Sequence, residues 1–243
     1  MPYRRLPNTD LARIYALKKA VEMEGFRERG EQVLSYQTTQ EALNFLIKFQ
    51  RAQKKYQQCN DLHLASSKSY RKELQLARMY VSHFIQVLNM TIMRGELRKE
   101  IKSDYGLEVN NYSNPDLTSE QGLLEWGERI IKAEEERTSK GGVPIYNPTI
   151  AKVKVHWGVF NEHYFSQKGL RDNVAKALEE VTEMRPQADD IILDIWNQVE
   201  AFYADLPIEE KMAKCKQFGL IYYYRSSEKA KMKANAAQHS IDF

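Results

Sequence analysis

From Leu74 to Ile92, apolar residues return every three or four positions: Leu74, Ala77, Val81, Phe84 or Ile85, Leu88 and Ile92. A stripe of that period lines one side of an α-helix and cannot line one face of a strand, whose period is two. The same spacing recurs through most of the chain. With only 11 Gly and 7 Pro in 243 residues, a turn-rich β sandwich is disfavoured. The expected fold class is all-α: an antiparallel helical bundle, in which short connections make long helices neighbours.

Taken in order, Asn8-Thr9-Asp10 supplies N-caps for a first helix over about 9–24, with Leu11, Ile14, Leu17 and Val21 at helical spacing. Thr38 or Thr39 opens a second helix carrying Ala42, Phe45, Phe49, Ala52 and Tyr56, which fades near Cys59-Asn60-Asp61. Ser66 or Ser67 begins a third, which runs to Gly106-Leu107, a left-handed glycine followed by an apolar residue that folds back on the last turn. Thr118 and Gln121 have capping-box spacing for a fourth helix. Asn147-Pro148 starts a fifth, with Ile150, Val153, Trp157, Phe160 and Tyr164 on one face and a bend at Gly169. Pro186 starts a sixth, with Ile191, Ile195, Val199, Phe202 and Leu206, and Pro207 begins a short continuation closed by Gly219. The one candidate strand is Leu220–Tyr224.

The order of elements repeats. A shorter helix, two long ones and an aromatic-Gly-Leu stop (Tyr105-Gly106-Leu107, then Phe218-Gly219-Leu220) occur twice, at offsets of 108 to 114 residues. The preferred organisation is therefore two similar three-helix units packed as one body: residues 1–110, residues 111–225, and a basic tail over 226–243. A plain elongated four-helix bundle is the alternative.

Composition narrows the function classes. Lys and Arg number 36 against 33 Asp and Glu, a net +3 spread along the chain, so no basic block announces nucleic acid. The longest uncharged run lies between Arg78 and Arg94. Its 15 residues fall short of the ~20 that cross a bilayer, and it reads as the most buried helix, in a chain with no membrane span. Ser82, Gln86 and Asn89 beside it read as a buried, hydrogen-bonded polar layer or as a partner-binding face. Cys59 and Cys215 are too few for a disulfide scaffold. The start shows no apolar signal segment, and a cytoplasmic location is expected.

Reactive constellations are sparse. No histidine has a glutamate three residues before it, so a ferritin-like metal site is not expected. His156 and His163 share a helix face but stand ~10.5 Å apart along the axis, too far for one zinc. Asp189, Asp190 and Asp194 are explained by a helix start and its dipole, and Glu134-Glu135-Glu136 by a solvated face. No phosphate loop, nucleophile elbow or dinucleotide fingerprint occurs, and no catalytic residue, metal ligand or cofactor is assigned.

The opening Met1-Pro2-Tyr3-Arg4-Arg5-Leu6-Pro7-Asn8-Thr9-Asp10-Leu11-Ala12-Arg13 resembles the start of uncharacterised all-helical proteins of Bacteroidetes-type bacteria. That resemblance implies a bacterial, helical protein and transfers no functional residue. The leading functional expectation is a non-catalytic helical scaffold or protein-interaction module, with a protein partner or self-association. An enzyme whose site is assembled from distant helices is a third reading.

The second reading is nucleic-acid binding through the C-terminal segment, where Tyr222, Tyr223, Tyr224 and Arg225 precede Lys229, Lys231 and Lys233. Aromatic rings stack on bases and cations meet phosphates. That reading predicts salt-sensitive binding to single-stranded oligonucleotides, lost on deleting residues 225–243. A filter-binding titration at two salt concentrations checks it, and equal binding by the truncated chain defeats it.

Overall fold

The computed structural model describes residues 3–28 and 30–225. Five α-helices carry this part of the chain: α1 (Asp10–Gly25), α2 (Tyr36–Met93), α3 (Glu120–Ser139), α4 (Ile150–Phe202) and α5 (Ile208–Gln217). A 3₁₀ turn spans Lys99–Ser103. Two short strands, β1 (Tyr3–Arg4) and β2 (Tyr222–Tyr223), pair antiparallel with Tyr3 opposite Tyr223 and Arg4 opposite Tyr222. The described residues are all-α apart from this sheet, and the strand expected over Leu220–Tyr224 is reduced to Tyr222–Tyr223.

Two expected boundaries are absent. The second and third helices are one helix, α2, because nothing from 36 to 93 is Gly or Pro. Asn60 and Asp61 cost an interior helix only tenths of a kcal/mol. Ser67 caps nothing; its hydroxyl donates back to the carbonyl of His63 at 2.7 Å. The fifth and sixth helices are likewise one, α4, with Pro186 inside it. An interior proline removes a helical hydrogen bond and costs about 3 kcal/mol. Val181, Ala188 and Ile191 are buried on both sides of it, and their packing holds the helix through the defect.

Ends also move. The helix α2 stops at Met93, where Gly95 takes a positive φ of 77° and the N–H groups of Gly95 and Glu96 donate to the carbonyls of Ile92 and Thr91. Gly106-Leu107 does stop a helical segment, but that segment is the 3₁₀ turn. Gly106 has φ 71°, and the N–H of Leu107 donates to Lys102 O at 2.9 Å. Gly219-Leu220 ends α5 in the same way, with φ 84° and Leu220 N–H on Cys215 O at 3.3 Å. Ser119, not Thr118, caps α3, its Oγ accepting from Gly122 N at 2.9 Å, while the Thr118 N–H is taken by Asp116. Thr9 caps α1 as expected. The helix α4 begins at Ile150, two residues after Pro148.

Compactness divides the chain differently from the sequence order. One unit comprises residues up to Gln58 and from Ala175 on; the other is Cys59–Val174. A division near 110 presumed separate helices, whereas continuous α2 and α4 each contribute one part to each unit. The first unit's core gathers Leu17 and Ala20 of α1, Phe45 and Phe49 of α2, Trp196 and Val199 of α4, and Phe218. The second gathers Val81, Phe84 and Leu88 of α2, Tyr105, Leu123 and Ile130 of α3, and Val153 and Phe160 of α4.

Each unit also buries a carboxylate at the end of its short helix. In the first, Glu24 accepts from the backbone N–H groups of Val33 and Leu34, pinning the loop that follows α1. Three residues on, Arg27 donates to the carbonyl of Glu31 and to the hydroxyl of Tyr203. In the second, Glu134 accepts from Ile145 N at 3.1 Å, from both guanidinium arms of Arg137 at 2.8 Å and from the hydroxyl of Tyr105. Arg137 also donates to Val143 O at 2.8 Å. Glu134 thus corrects its reading as part of a solvated face. A buried carboxylate with a bidentate arginine is stable only while every partner remains.

In the second unit α3 packs closely on α4 at Gly127. A Cβ added at Gly127 would run into the ring of Trp157. Alanine is the better helix former by about 1 kcal/mol, yet Gly127→Ala is expected to destabilise the protein by about 1–3 kcal/mol, because the indole must leave its place. Urea unfolding of the variant against the parent measures the sign.

Candidate functional site

An exposed helix face is normally charged, because charge keeps it in water. The outer face of α2 from 79 to 93 is not. Its core side buries Ala77 (just before the run), Val81, Phe84, Ile85, Leu88 and Ile92. On the other side Met79, His83, Gln86, Met90 and Met93 are exposed, at successive steps of four, three, four and three. Met79 keeps 51% of its surface in water, Met90 55% and Met93 71%. The uncharged run is therefore not a wholly buried helix: half of it is core and half is an apolar, neutral outer stripe.

The expected polar layer does not form as a layer. Gln86 lies in the exposed stripe, Ser82 is half-buried, and only Asn89 is buried, donating to Tyr112 O at 3.1 Å.

Beside the stripe a groove of about 440 Å³ is walled by Val87 and Thr91 of α2, by Arg94, Glu96 and Leu97 just after it, and by the loop Val143–Tyr146. Val143 and Tyr146 are 72% and 64% exposed. The polar groups here are already engaged. Thr91 Oγ1 donates to Val87 O at 2.8 Å, and Arg94 pairs with Glu96 at 2.7 Å. What the groove offers a partner is apolar area and shape, with no free nucleophile or base among its lining side chains.

The tail residues have separate fates. Tyr222 is in β2, and its hydroxyl donates to Glu200 Oε1 at 2.8 Å, while Arg4 holds the other oxygen at 3.0 Å and also donates to Asn197. Burial, then the adjacent Cys215 thiol and the Glu200 carboxylate, push its pKa well above the ordinary 10.0. Tyr224 donates to Met212 Sδ at 3.6 Å. Tyr223 is exposed beside the ring of Tyr3, their centroids 6.2 Å apart. Of the three tyrosines only Tyr223 offers an open face. Arg225 is exposed; Lys229, Lys231 and Lys233 lie outside the described residues. A cavity of about 420 Å³ beside β1 and β2 is lined by Arg4, Glu200, Ile208, Lys211, Met212 and Tyr222, together with Tyr3.

Other groups flagged by the sequence are structural. His156 stacks flat on Tyr80 at 4.2 Å. Asp189 is not at a helix start but inside α4, where it takes both arms of the nearly buried Arg13 at 2.8 and 3.0 Å. Asp10 joins them through Arg185 and Arg13. Asp194 accepts from Thr38 and Gln198. Among the described residues, no three of His, Cys, Asp and Glu converge as a metal site, and no helix is long and apolar enough to cross a membrane.

One buried charge that escaped sequence reasoning is Lys102. It is fully buried, its ammonium donating to Asn111 O and lying 4.2 Å from the centre of the Tyr112 ring. Burial lowers its pKa, partly opposed by Glu108. Cys215 is sealed in the first core, and burial raises its thiol pKa, so it is a poor nucleophile. The Glu-x-x-Arg pairs at 24/27 and 134/137 were the available signal for the buried carboxylates. For the outer stripe the signal was the uncharged run.

Compared with models of protein families, with curated proteins and with solved structures, the chain matches none.

The buried tyrosines set an alkaline limit. Tyr105 is held above its ordinary 10.0 by burial first and then by its hydrogen bond to Glu134 and that carboxylate's charge. A hydroxyl that keeps its proton in the fold and loses it when unfolded contributes stability that is complete below about pH 10 and declines as pH rises past it. Urea midpoints at pH 8 and at about pH 10.5 should fall for the parent, through Tyr105 and Tyr222. Tyr105→Phe, weaker at pH 8, should lose less over that interval; an unchanged interval would refute the assignment.

Proposed function

We propose that the protein is a non-catalytic helical scaffold and interaction module, built from two related helical units, whose partner-binding face is the outer side of α2 from Met79 to Met93. One observation carries the reading: three methionines, a histidine and a glutamine stand exposed on a helix face without Asp, Glu, Lys or Arg, with a groove of mixed polar and apolar lining alongside. Water is a poor solvent for such a face, and covering it is favourable by about 25 cal/mol per Å² of apolar surface before the costs of association. Methionine suits the task because its unbranched, polarisable side chain fills irregular partner surfaces.

The relatedness of the units is supported by matching contacts. The buried α1 positions Arg13, Leu17, Ala20 and Glu24 correspond at 110 residues to the buried α3 positions Leu123, Gly127, Ile130 and Glu134. Arg27 and Arg137 follow each glutamate by three, and each binds a tyrosine hydroxyl and a loop carbonyl. Gly219 packs on Ala16 and Lys19 as Gly106 packs on Arg129. The offset of 113 expected for these helices pairs Leu11 with Leu124, and Leu11 is exposed, so 110 is the better register.

The nucleic-acid reading keeps one supporting observation, the exposed Tyr3–Tyr223 pair beside Arg225. It is the weaker because Tyr222 and Tyr224 spend their hydroxyls on the protein.

The test is a photo-crosslinker placed at Gln86, in the middle of the face, in the full chain expressed in cells. A discrete crosslinked product is expected, and it should vanish when Met79, Met90 and Met93 are all changed to Gln, with helicity unchanged by circular dichroism. Equal crosslinking by both proteins, or none by either, removes the reading.

A further inference from the structure

The stripe on α2 also suggests which partner it takes. Counted from Gln86, Met79 and Met93 lie seven residues away on either side, and His83 and Met90 lie three and four away. A face with that symmetry matches itself when the helix is turned end for end. We infer that the occupant is a second copy of this chain, bound through a twofold axis passing near Gln86, with the two α2 helices antiparallel. The inference rests on the reading of this face as the interaction surface.

A twofold contact is isologous: the same patch meets itself, and charge near the axis meets its like. From 79 to 93 there is none to meet. At the axis the amide of Gln86 faces its own copy, and an amide can both donate and accept. Met79 lies across from Met93 of the copy, and His83 across from Met90 of the copy.

The arginines bounding the run would approach one another end to end, each already held by its own chain. Hydrogen bonds from Thr118, and then the nearby charge of Arg78, lower the carboxyl pKa of Asp116. Arg78 is bound to the carbonyls of Leu117 and Thr118 at 2.9 and 2.8 Å, and Arg94 is paired with Glu96.

The area is sufficient. Fifteen residues of helix present a strip ~21 Å long. With Val143, Pro144 and Tyr146 at its edge, a copy would cover on the order of 600–800 Å² on each side, near the roughly 800 Å² per partner of a specific interface. The groove beside Val87 and Thr91 gives the copy's side chains a concave surface to enter.

The experiment uses the purified full chain, without other proteins, and reads molar mass by light scattering during gel filtration, with sedimentation equilibrium for affinity. Twice the chain mass is expected at ~50 µM, an affinity of the order common to modest dimers. Met90→Glu sets a carboxylate in the apolar seam twice per dimer and should weaken association by at least about 100-fold. Met90 is exposed, so this variant keeps its fold, checked by its urea midpoint.

Geometry is tested with Gln86→Cys on a Cys59→Ser background. Under mild oxidation it should join two copies through a disulfide, whereas Met79→Cys alone should not, and Met79→Cys mixed with Met93→Cys should. A parent that stays at single-chain mass up to ~200 µM overturns the inference. So does a Met90→Glu dimer as tight as the parent's, or self-linking by Met79→Cys. In any of those cases the face could still hold a different protein, and the cellular crosslink, read for a product that is not twice the chain mass, decides that separately.

Discussion

The carboxylate of Glu134 has no exposure to water, and the second unit is arranged to satisfy it. Ionised carboxylate cannot stay dry unpaired, so the loop after α3 must turn its Ile145 N–H inward, Arg137 must fold back along the helix, and Tyr105 must bring its hydroxyl from the 3₁₀ turn. One charge thereby joins α3, the loop that follows it and Tyr105, 29 residues earlier. Glu24 does the same for the loop after α1, using backbone donors alone, while Arg27 ties that loop to Tyr203. Both long helices are launched from loops fixed in this way.

That economy bears on function. Among the described residues, the buried charged groups are engaged in holding a loop or a helix end: Arg13 with Asp189, Lys102 with Asn111, Glu24 with Val33 and Leu34, Glu134 with Arg137. What is left facing water on α2 from Met79 to Met93 carries no Asp, Glu, Lys or Arg. Covering a surface of that kind is favourable, and its polar members are the amide of Gln86 and the imidazole of His83. The proposed role follows from this division between spent polar groups inside and unspent apolar area outside.

Some of the architecture was legible from the residues and some was not. Thr9 as a cap, the stripes on α2 and α4, and the glycines at 106 and 219 all follow local rules that need only neighbours in sequence. Cys59-Asn60-Asp61 and Pro186 look like breaks by the same rules, yet the helices run through them. At Pro186 the reason is long-range: residues on both sides pack into one core, outweighing a local cost of about 3 kcal/mol. The outer stripe was half legible. Lack of charge was visible and was read as burial, because sequence gives the composition of a helix and not which of its two faces finds a neighbour.

By itself, then, the sequence determined helical periodicity, some caps and stops such as Thr9 and Gly219, and the absence of any recognisable reactive motif, all properties set by spacings of a few residues. Tertiary structure decided what depends on residues far apart. It joined the helices into two long ones and drew the unit boundaries through them. It buried Glu24, Glu134 and Lys102, and it left Met79, Met90 and Met93 in water. The physical reason is the same in each case: burial and partnership are properties of where chain segments meet, and an amphipathic pattern specifies that a face is apolar without specifying what covers it.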